Sequence, residues 1–249
     1  MASLGERLRA GEPLLGTFVK SPDPNIAELL GASGLDFLLA DHEHSSLALA
    51  DVEAIARASA VPLVVRVASD ALHETGRFLD AGAAGIQVSD VSDPAVAADA
   101  CARAEYPPAG RRGLAFSHRA ARFGREERAA HLERAAAERI VICQIESTEG
   151  VAALPALLAE DLTVDAWFIG PTDLSASLGH PGDPAAPRVR EAIERAASTI
   201  LAAGARLGIY AGTLADAQEW RARGATFIAL GSDYTLLAQH IDGLVAAWA

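Results

Sequence analysis

The sequence predicts an α/β protein built as a single (β/α)8 TIM barrel, and three observations carry that prediction. Eight short β-branched or apolar runs alternate with amphipathic stretches from end to end. Glycines close several helical stretches just ahead of the next apolar run, where the left-handed C-terminal position favours them. The length, 249 residues, is that of one such barrel, so the expected domain is the whole span 1–249. An open doubly wound sheet is the runner-up, and it would place Gly-x-Gly-x-x-Gly after the first strand, where none stands.

The elements follow in order. The first apolar run, 14–19 (LLGTFV), leads to a helix over 25–32 with apolar residues at three- and four-residue spacing, stopped at Gly34. A second run, 37–40 (FLLA), passes through a polar turn into a helix at 50–58. Pro62 opens the third strand, 63–67 (LVVRV), and a helix over 73–80 closes at Gly82. Strand 85–88 (GIQV) precedes a helix at 94–104. Here the alternation breaks: Tyr106-Pro-Pro-Ala-Gly-Arg-Arg-Gly113, a Ser/His/Arg/Phe-bearing segment to Gly124, and a helical stretch over 125–138 intervene. An excursion this long on a compact barrel is expected to be a functional or intersubunit loop. Strand 140–145 (IVICQI) and a helix at 151–159 resume the pattern. Strand 166–169 (AWFI) is followed by a short helix opening at Gly170-Pro-Thr-Asp-Leu and a longer one over 188–203 that stops at Gly204. Strand 206–210, a helix at 214–222 ending near Gly224, strand 227–230 and a last helix over 236–248 complete the series.

Composition narrows the partners. The formal net charge is −12, with no basic run interleaved with aromatics, so nucleic acid and anionic membranes are excluded as expected partners. No apolar run approaches the ~20 residues of a membrane span, and the N-terminal stretch lacks a signal-peptide core; a cytoplasmic protein is expected. Cys101 and Cys143 lie in apolar stretches without a second ligand at metal spacing and read as ordinary buried thiols.

Chemistry on such a barrel collects at the C-terminal ends of the strands, and four of them end in ionisable residues. The second runs into Asp41-His42-Glu43-His44, the third carries Arg66, the fifth ends Gln144-Ile-Glu146, and the sixth ends Gly170-Pro-Thr-Asp173. Glu146 and Asp173 are hard oxygen donors suited to Mg2+ or Mn2+, or else rim acids that bridge arginines or cap helices. Asp41, three residues before His44, is placed to orient its imidazole as a general base; a packed or surface histidine is the alternative, and is the expectation for His73, His118, His131, His180 and His240. Arg66 emerges from a buried strand and must find an anion, either a rim acid such as Glu43 or the carboxylate or oxyanion of a substrate. The free N–H groups of the helix after Gly170 form a ready carboxylate site.

In this order the segments Leu15-Gly-Thr-Phe18, Asp41-x-Glu-His44, Val64-Val-Arg66, Asp80-Ala-Gly-Ala-Ala-Gly-Ile-Gln87, Tyr106-Pro-Pro-x-Gly-x-Arg-Gly113, Arg119-Ala-Ala-Arg-Phe-Gly124, Gln144-Ile-Glu146 and Gly170-Pro-x-Asp-Leu-Ser-x-Ser-Leu-Gly179 resemble the HpcH/HpaI family. These are pyruvate-dependent class II aldolases of the 4-hydroxy-2-oxoheptanedioate aldolase type, on a phosphoenolpyruvate/pyruvate-binding barrel. The resemblance implies a metal–enolate reaction: Glu146 and Asp173 bind a divalent metal (Mg2+ or Mn2+, with Co2+ as a further candidate), His44 with Asp41 acts as the base, and Arg66 stabilises the enolate. It further implies that Gln144 lines the pyruvate site, that the amides around Thr172 and Asp173 hold the substrate carboxylate, and that Asp80 matches an acid of the active-site rim at a subunit contact. The implied substrates are pyruvate or another 2-oxo acid and an aldehyde, and the implied assembly is a homo-hexamer, a trimer of dimers. A related lyase or condensing reaction, citrate-forming, acyl-CoA-linked or decarboxylating, would use the same site. No Schiff-base lysine is required, and Lys20 is the only lysine in the chain. Two departures from the family's usual pattern, His42 within the Asp-x-Glu-His segment and Ser89-Asp90 after the fourth strand, leave the acceptor open.

Overall fold

The computed structural model describes residues 2–248. Eight parallel strands close into a barrel in chain order: β1 (Leu14–Val19), β2 (Phe37–Asp41), β3 (Leu63–Val67), β4 (Gly85–Val88), β5 (Ile140–Ile145), β6 (Ala166–Ile169), β7 (Leu207–Ala211) and β8 (Ala225–Ser232), with β8 pairing back to β1. The helices are α1 (Leu4–Arg9), α2 (Pro24–Gly31), α3 (Leu49–Ala58), α4 (Thr75–Ala81), α5 (Pro94–Ala104), α6 (Arg128–Glu138), α7 (Thr148–Ala159), α8 (Pro171–Ser177), α9 (Pro187–Ala202), α10 (Leu214–Ala222) and α11 (Asp233–Trp248). The eight strands and their helices lie where the sequence puts them, and the doubly wound alternative falls because the sheet is closed.

Side chains on a strand alternate between faces. Outward residues such as Leu38, Ala40, Val65, Val67, Ile86 and Val88 form a buried layer between sheet and helices, while Leu14, Phe37, Leu39, Val64, Ile142, Phe168 and Phe227 fill the barrel. The same alternation carries the inward face upward from Phe18 to Lys20, Leu39 to Asp41, Val64 to Arg66, and Ile142 to Gln144 and Glu146. Each inward polar side chain therefore arrives at one mouth by strand parity.

The other mouth is plugged by α1, a helix the sequence reading does not anticipate. It is fixed by a Ser3–Glu6 capping box, and its Leu4 and Leu8 join Phe37, Ile140, Phe168 and Phe227 in the interior cluster. Phe37 stacks on Phe227 with centroids 3.9 Å apart.

Element ends shift where local chemistry decides them. The expected helix 73–80 divides into a 3-10 turn, Ser69–Glu74, and α4. The helix expected from 125 begins at Arg128, because the Glu127 carboxylate caps it by accepting from Ala130 N at 2.9 Å. Gly34, Gly82, Gly204 and Gly224 all take positive φ, as their helix-closing positions require. The C-terminal helix starts earlier than expected, at Asp233, whose carboxylate accepts from Ser21 N at 2.8 Å and so ties it to the end of β1. Along its length Leu237, Ile241, Leu244, Val245 and Trp248 are exposed. Both cysteines are buried and free.

Candidate active site

A cavity of about 230 Å³ opens at the C-terminal mouth, lined by Phe18, Lys20, His44, Arg66, Gln144 and Asp173 among others. Its centre of charge is Arg66, nearly buried, which donates from Nε to Asp41 Oδ1 at 2.9 Å and from Nη2 to Asp41 Oδ2 at 2.8 Å. The Arg66 guanidinium also lies over the Phe18 ring, 4.8 Å from its centroid. This fork-to-fork geometry fixes the plane of the guanidinium and leaves its Nη1 hydrogens for a ligand.

Asp41 does not orient the His44 ring, as the sequence reading expected. β2 runs one residue further than predicted, so Asp41 stands opposite Arg66 in the β2–β3 register and points into the barrel. There it accepts from the backbone N–H of His44 at 3.0 Å and meets Lys20 Nζ at 2.9 Å. Burial alone would push the Asp41 carboxyl up; the Arg66 charge, Lys20 and the His44 amide outweigh it and hold the group below the usual carboxylate range.

The carboxylate near the imidazole is Glu43, with Oε2 3.8 Å from His44 Nε2 and 3.5 Å from Arg66 Nε. That oxygen is buried without a hydrogen bond, whereas Oε1 accepts from Ser89 Oγ at 2.7 Å. Ser89 thus reaches the site through Glu43. The other departure, His42, does not: its ring packs edge-on to Phe78 outside the barrel, with centroids 4.7 Å apart.

Glu146 is nearly buried. Its Oε1 accepts from Asp90 N at 2.8 Å, and its Oε2 accepts from the Gln144 amide, which is itself paired with Gln87. Asp90 holds a left-handed φ of 45° to present that N–H. Neither acid is merely a cap: Ser147 caps α7, and Asp173 sits in the first turn of α8. Burial first, and the Asp173 charge second, push the Glu146 carboxyl up to about 8. Gly170 leaves the space these groups need, because a Cβ there would stand 2.6 Å from Glu146 Oε2 and 2.7 Å from Gln144 Nε2. Among the described residues no three His, Cys, Asp or Glu side chains converge as a closed metal cage. Two repelling carboxylates, one deeply buried, beside an open cavity are instead a hard-oxygen donor pair of the kind that could hold a divalent cation with positions left open.

Asp80 lies apart from all of this. It occupies the last turn of α4, ahead of β4 and so at the opposite end of the barrel, where it accepts from Arg112 Nη2 at 2.6 Å and stands 3.4 Å from His118 Nε2. Within one chain it does not join His44 or Arg66. Sequence reasoning gives Lys20 no role in the site and ties Ser89-Asp90 only to the choice of acceptor; strand parity from Leu14 through Phe18 is the signal that turns Lys20 inward, and no sequence signal foretells the left-handed Asp90 turn that donates to Glu146.

Comparison with known proteins identifies the family and agrees with the fold. The HpcH/HpaI aldolase/citrate lyase family matches over residues 14–240. A 4-hydroxy-2-oxo-heptane-1,7-dioate aldolase of Salmonella typhimurium is 37% identical over 97% of this chain and 92% of its own. The crystal structure of an HpcH/HpaI aldolase/citrate lyase family protein from Burkholderia cenocepacia superposes with TM-score 0.90 at 36% identity, over 99% of each chain. A citrate synthase, SbnG, superposes with TM-score 0.87 at 28% identity, over 98% of this chain and 96% of its own. The chain belongs to the HpcH/HpaI aldolase/citrate lyase family and is a carbon–carbon lyase of the aldolase type.

Proposed function

We propose that this protein is a metal-dependent class II aldolase that cleaves a 4-hydroxy-2-oxo acid to pyruvate and an aldehyde, and runs the condensation in reverse. The observation that carries the reading is one cavity lined by Asp173, a clamped Arg66 and an accessible imidazole at His44, with the buried Glu146 carboxylate behind its wall, bonded to Gln144 and repelled by the Asp173 charge. Glu146 and Asp173 would hold a divalent cation, Mg2+, Mn2+ or Co2+, which when bound would supply positive charge to polarise the 2-oxo acid. Thr172 and Asp173 contribute first-turn amides of α8, free because Leu174 N is the first to reach back to Gly170 O at 3.1 Å, and these bind the substrate carboxylate. Gln144 lines the same wall.

In cleavage His44 takes the proton of the C4 hydroxyl, the C3–C4 bond breaks with departure of the aldehyde, and the electron pair passes to C3 and the keto oxygen as an enolate. Arg66, aimed by Asp41, stabilises the negative oxygen. The imidazolium then returns the proton to C3, which yields pyruvate and a neutral His44. The substrate named for the Salmonella relative is the first to test. A citrate-forming condensation is the second reading, supported by the 28% identity with SbnG.

The assembly we propose is a homo-hexamer, a trimer of dimers, supported by the apolar stripe of α11; Asp80, remote from its own chain's cavity, belongs to a contact between subunits. Among the described residues no helix is long and apolar enough to cross a membrane, which accords with the cytoplasmic location we propose.

The test is exchange of the pyruvate methyl protons in D2O, followed by NMR with Mg2+ or Mn2+, after EDTA, and with His44→Ala and Arg66→Ala. Metal-dependent exchange that collapses in both variants is expected. Absence of exchange with every divalent metal would overturn pyruvate as the donor and shift attention to oxaloacetate and acyl-CoA substrates.

A further inference from the structure

Lys20 is the only lysine among 21 cationic residues, and it stands in the wall of the cavity at the end of β1. Its ammonium has three hydrogens. One contact is Asp41 Oδ2 at 2.9 Å and another is the backbone carbonyl of His44 at 3.2 Å. Asp41 in turn accepts from the N–H of that same His44 at 3.0 Å. The His44 residue is therefore gripped on both of its backbone polar groups, by an anion on its N–H and by a cation on its C=O, and the two gripping groups are paired with each other. The ring itself has no comparable hold: its side chain is 55% exposed, and its nearest acid, Glu43, is 3.8 Å away.

We propose that Lys20 is a positioning residue for His44. Strand β1, through Lys20, and strand β2, through Asp41, together form an electrostatic clamp that sets the backbone from which the base projects. Asp41 bears two cations, Arg66 and Lys20, on the same oxygen, so one buried carboxylate aligns the enolate-stabilising guanidinium and the base in a single frame. Lys20 does not act as a covalent amine here; its contacts give it a cation's role. The inference rests on the aldolase reading in taking His44 as the base, and it adds a residue outside the acids, histidine and arginine that the reaction requires.

Two measurements test it. In the pyruvate exchange assay, Lys20→Met should leave the KM for pyruvate within about twofold, because the Arg66–Asp41 fork remains. It should lower the exchange kcat about tenfold or more, as expected when a reacting group loses its alignment; Lys20→Arg should restore most of that loss. An unchanged kcat in Lys20→Met, or a raised KM at constant kcat, would overturn the positioning role, the latter by making Lys20 a substrate ligand. The second measurement needs no turnover. Reductive 13C-methylation places a label on one lysine side chain, and its resonance should shift when Asp41→Asn removes the charge it faces. An identical resonance in wild type and Asp41→Asn would show that the clamp does not form. Wild-type protein without any exchange would instead refute the aldolase reading, leaving the NMR result to decide the clamp on its own.

Discussion

Removal of Asp41 is the most informative single perturbation, because four donors converge on a carboxylate with no solvent exposure. In Asp41→Ala the carboxylate left beside the Arg66 guanidinium is Glu43, at 3.5 Å, and Lys20, partly exposed, keeps the His44 carbonyl and otherwise turns to water. Breaking a buried charge pair from one side costs about 3–5 kcal/mol. The residual Glu43 contact and the rehydration of Lys20 put this site at the lower end, about 3 kcal/mol. An unfolding entropy of about 2.1 cal/mol/K per residue gives roughly 0.5 kcal/mol/K for a chain of this size, so Tm should fall by about 6 °C. Differential scanning calorimetry at fixed protein concentration measures this, concentration being held because assembly itself moves Tm. The drop should persist in 0.5 M NaCl, since a buried pair is little screened. A double variant, Asp41→Ala with Arg66→Met, leaves no orphaned guanidinium and should lose clearly less than the sum of its parts. A shift under 1 °C for Asp41→Ala, or strict additivity in the double variant, would refute the clamp as the organiser of the site.

Three further outcomes follow from the same geometry. With the Glu146 carboxyl raised from its ordinary 4.5 to about 8, the folded, cation-free protein holds a proton that the unfolded chain releases; this contribution to stability is full below about pH 4.5 and is lost as pH rises toward 8. Divalent cation should therefore raise Tm more at pH 8.5 than at pH 6.5, and Glu146→Gln should flatten the difference; equal gains at both pH values would contradict a cation at Glu146. Arg66→Lys keeps the charge and loses the fork, so kcat for pyruvate exchange should fall about 10²-fold or more, whereas a variant within threefold of wild type would show that bidentate alignment is dispensable. Leu237→Glu with Leu244→Glu on the exposed stripe of α11 should reduce the assembly size seen by analytical ultracentrifugation, and an unchanged sedimentation coefficient would clear that face of a role in assembly.

The sequence by itself determined the barrel and brought His44, Arg66, Gln144 and Asp173 to the mouth where the cavity opens. The short apolar runs and helix-closing glycines are local signals, and strand parity acts on them directly: a residue two positions past an inward Leu39, Val64 or Ile142 must also face inward, which delivers Asp41, Arg66 and Gln144 to one end. What the tertiary structure alone decided is who meets whom. Asp41 and His44 are three residues apart, yet the carboxylate serves Arg66 and Lys20, because the register with β3 and closure of the barrel bring stronger donors to it than a turn neighbour can. Asp80 reads as one more acid of the set, yet α4 runs antiparallel to the strands and carries it to the far mouth, beside Arg112. Lys20 shows no local mark of function; only the packing of β1 against β2 brings its ammonium to the Asp41 carboxylate and the His44 carbonyl. Periodicity is a property of neighbouring residues and survives in the one-dimensional chain, whereas charge pairing across strands depends on distances that exist only after the barrel has closed.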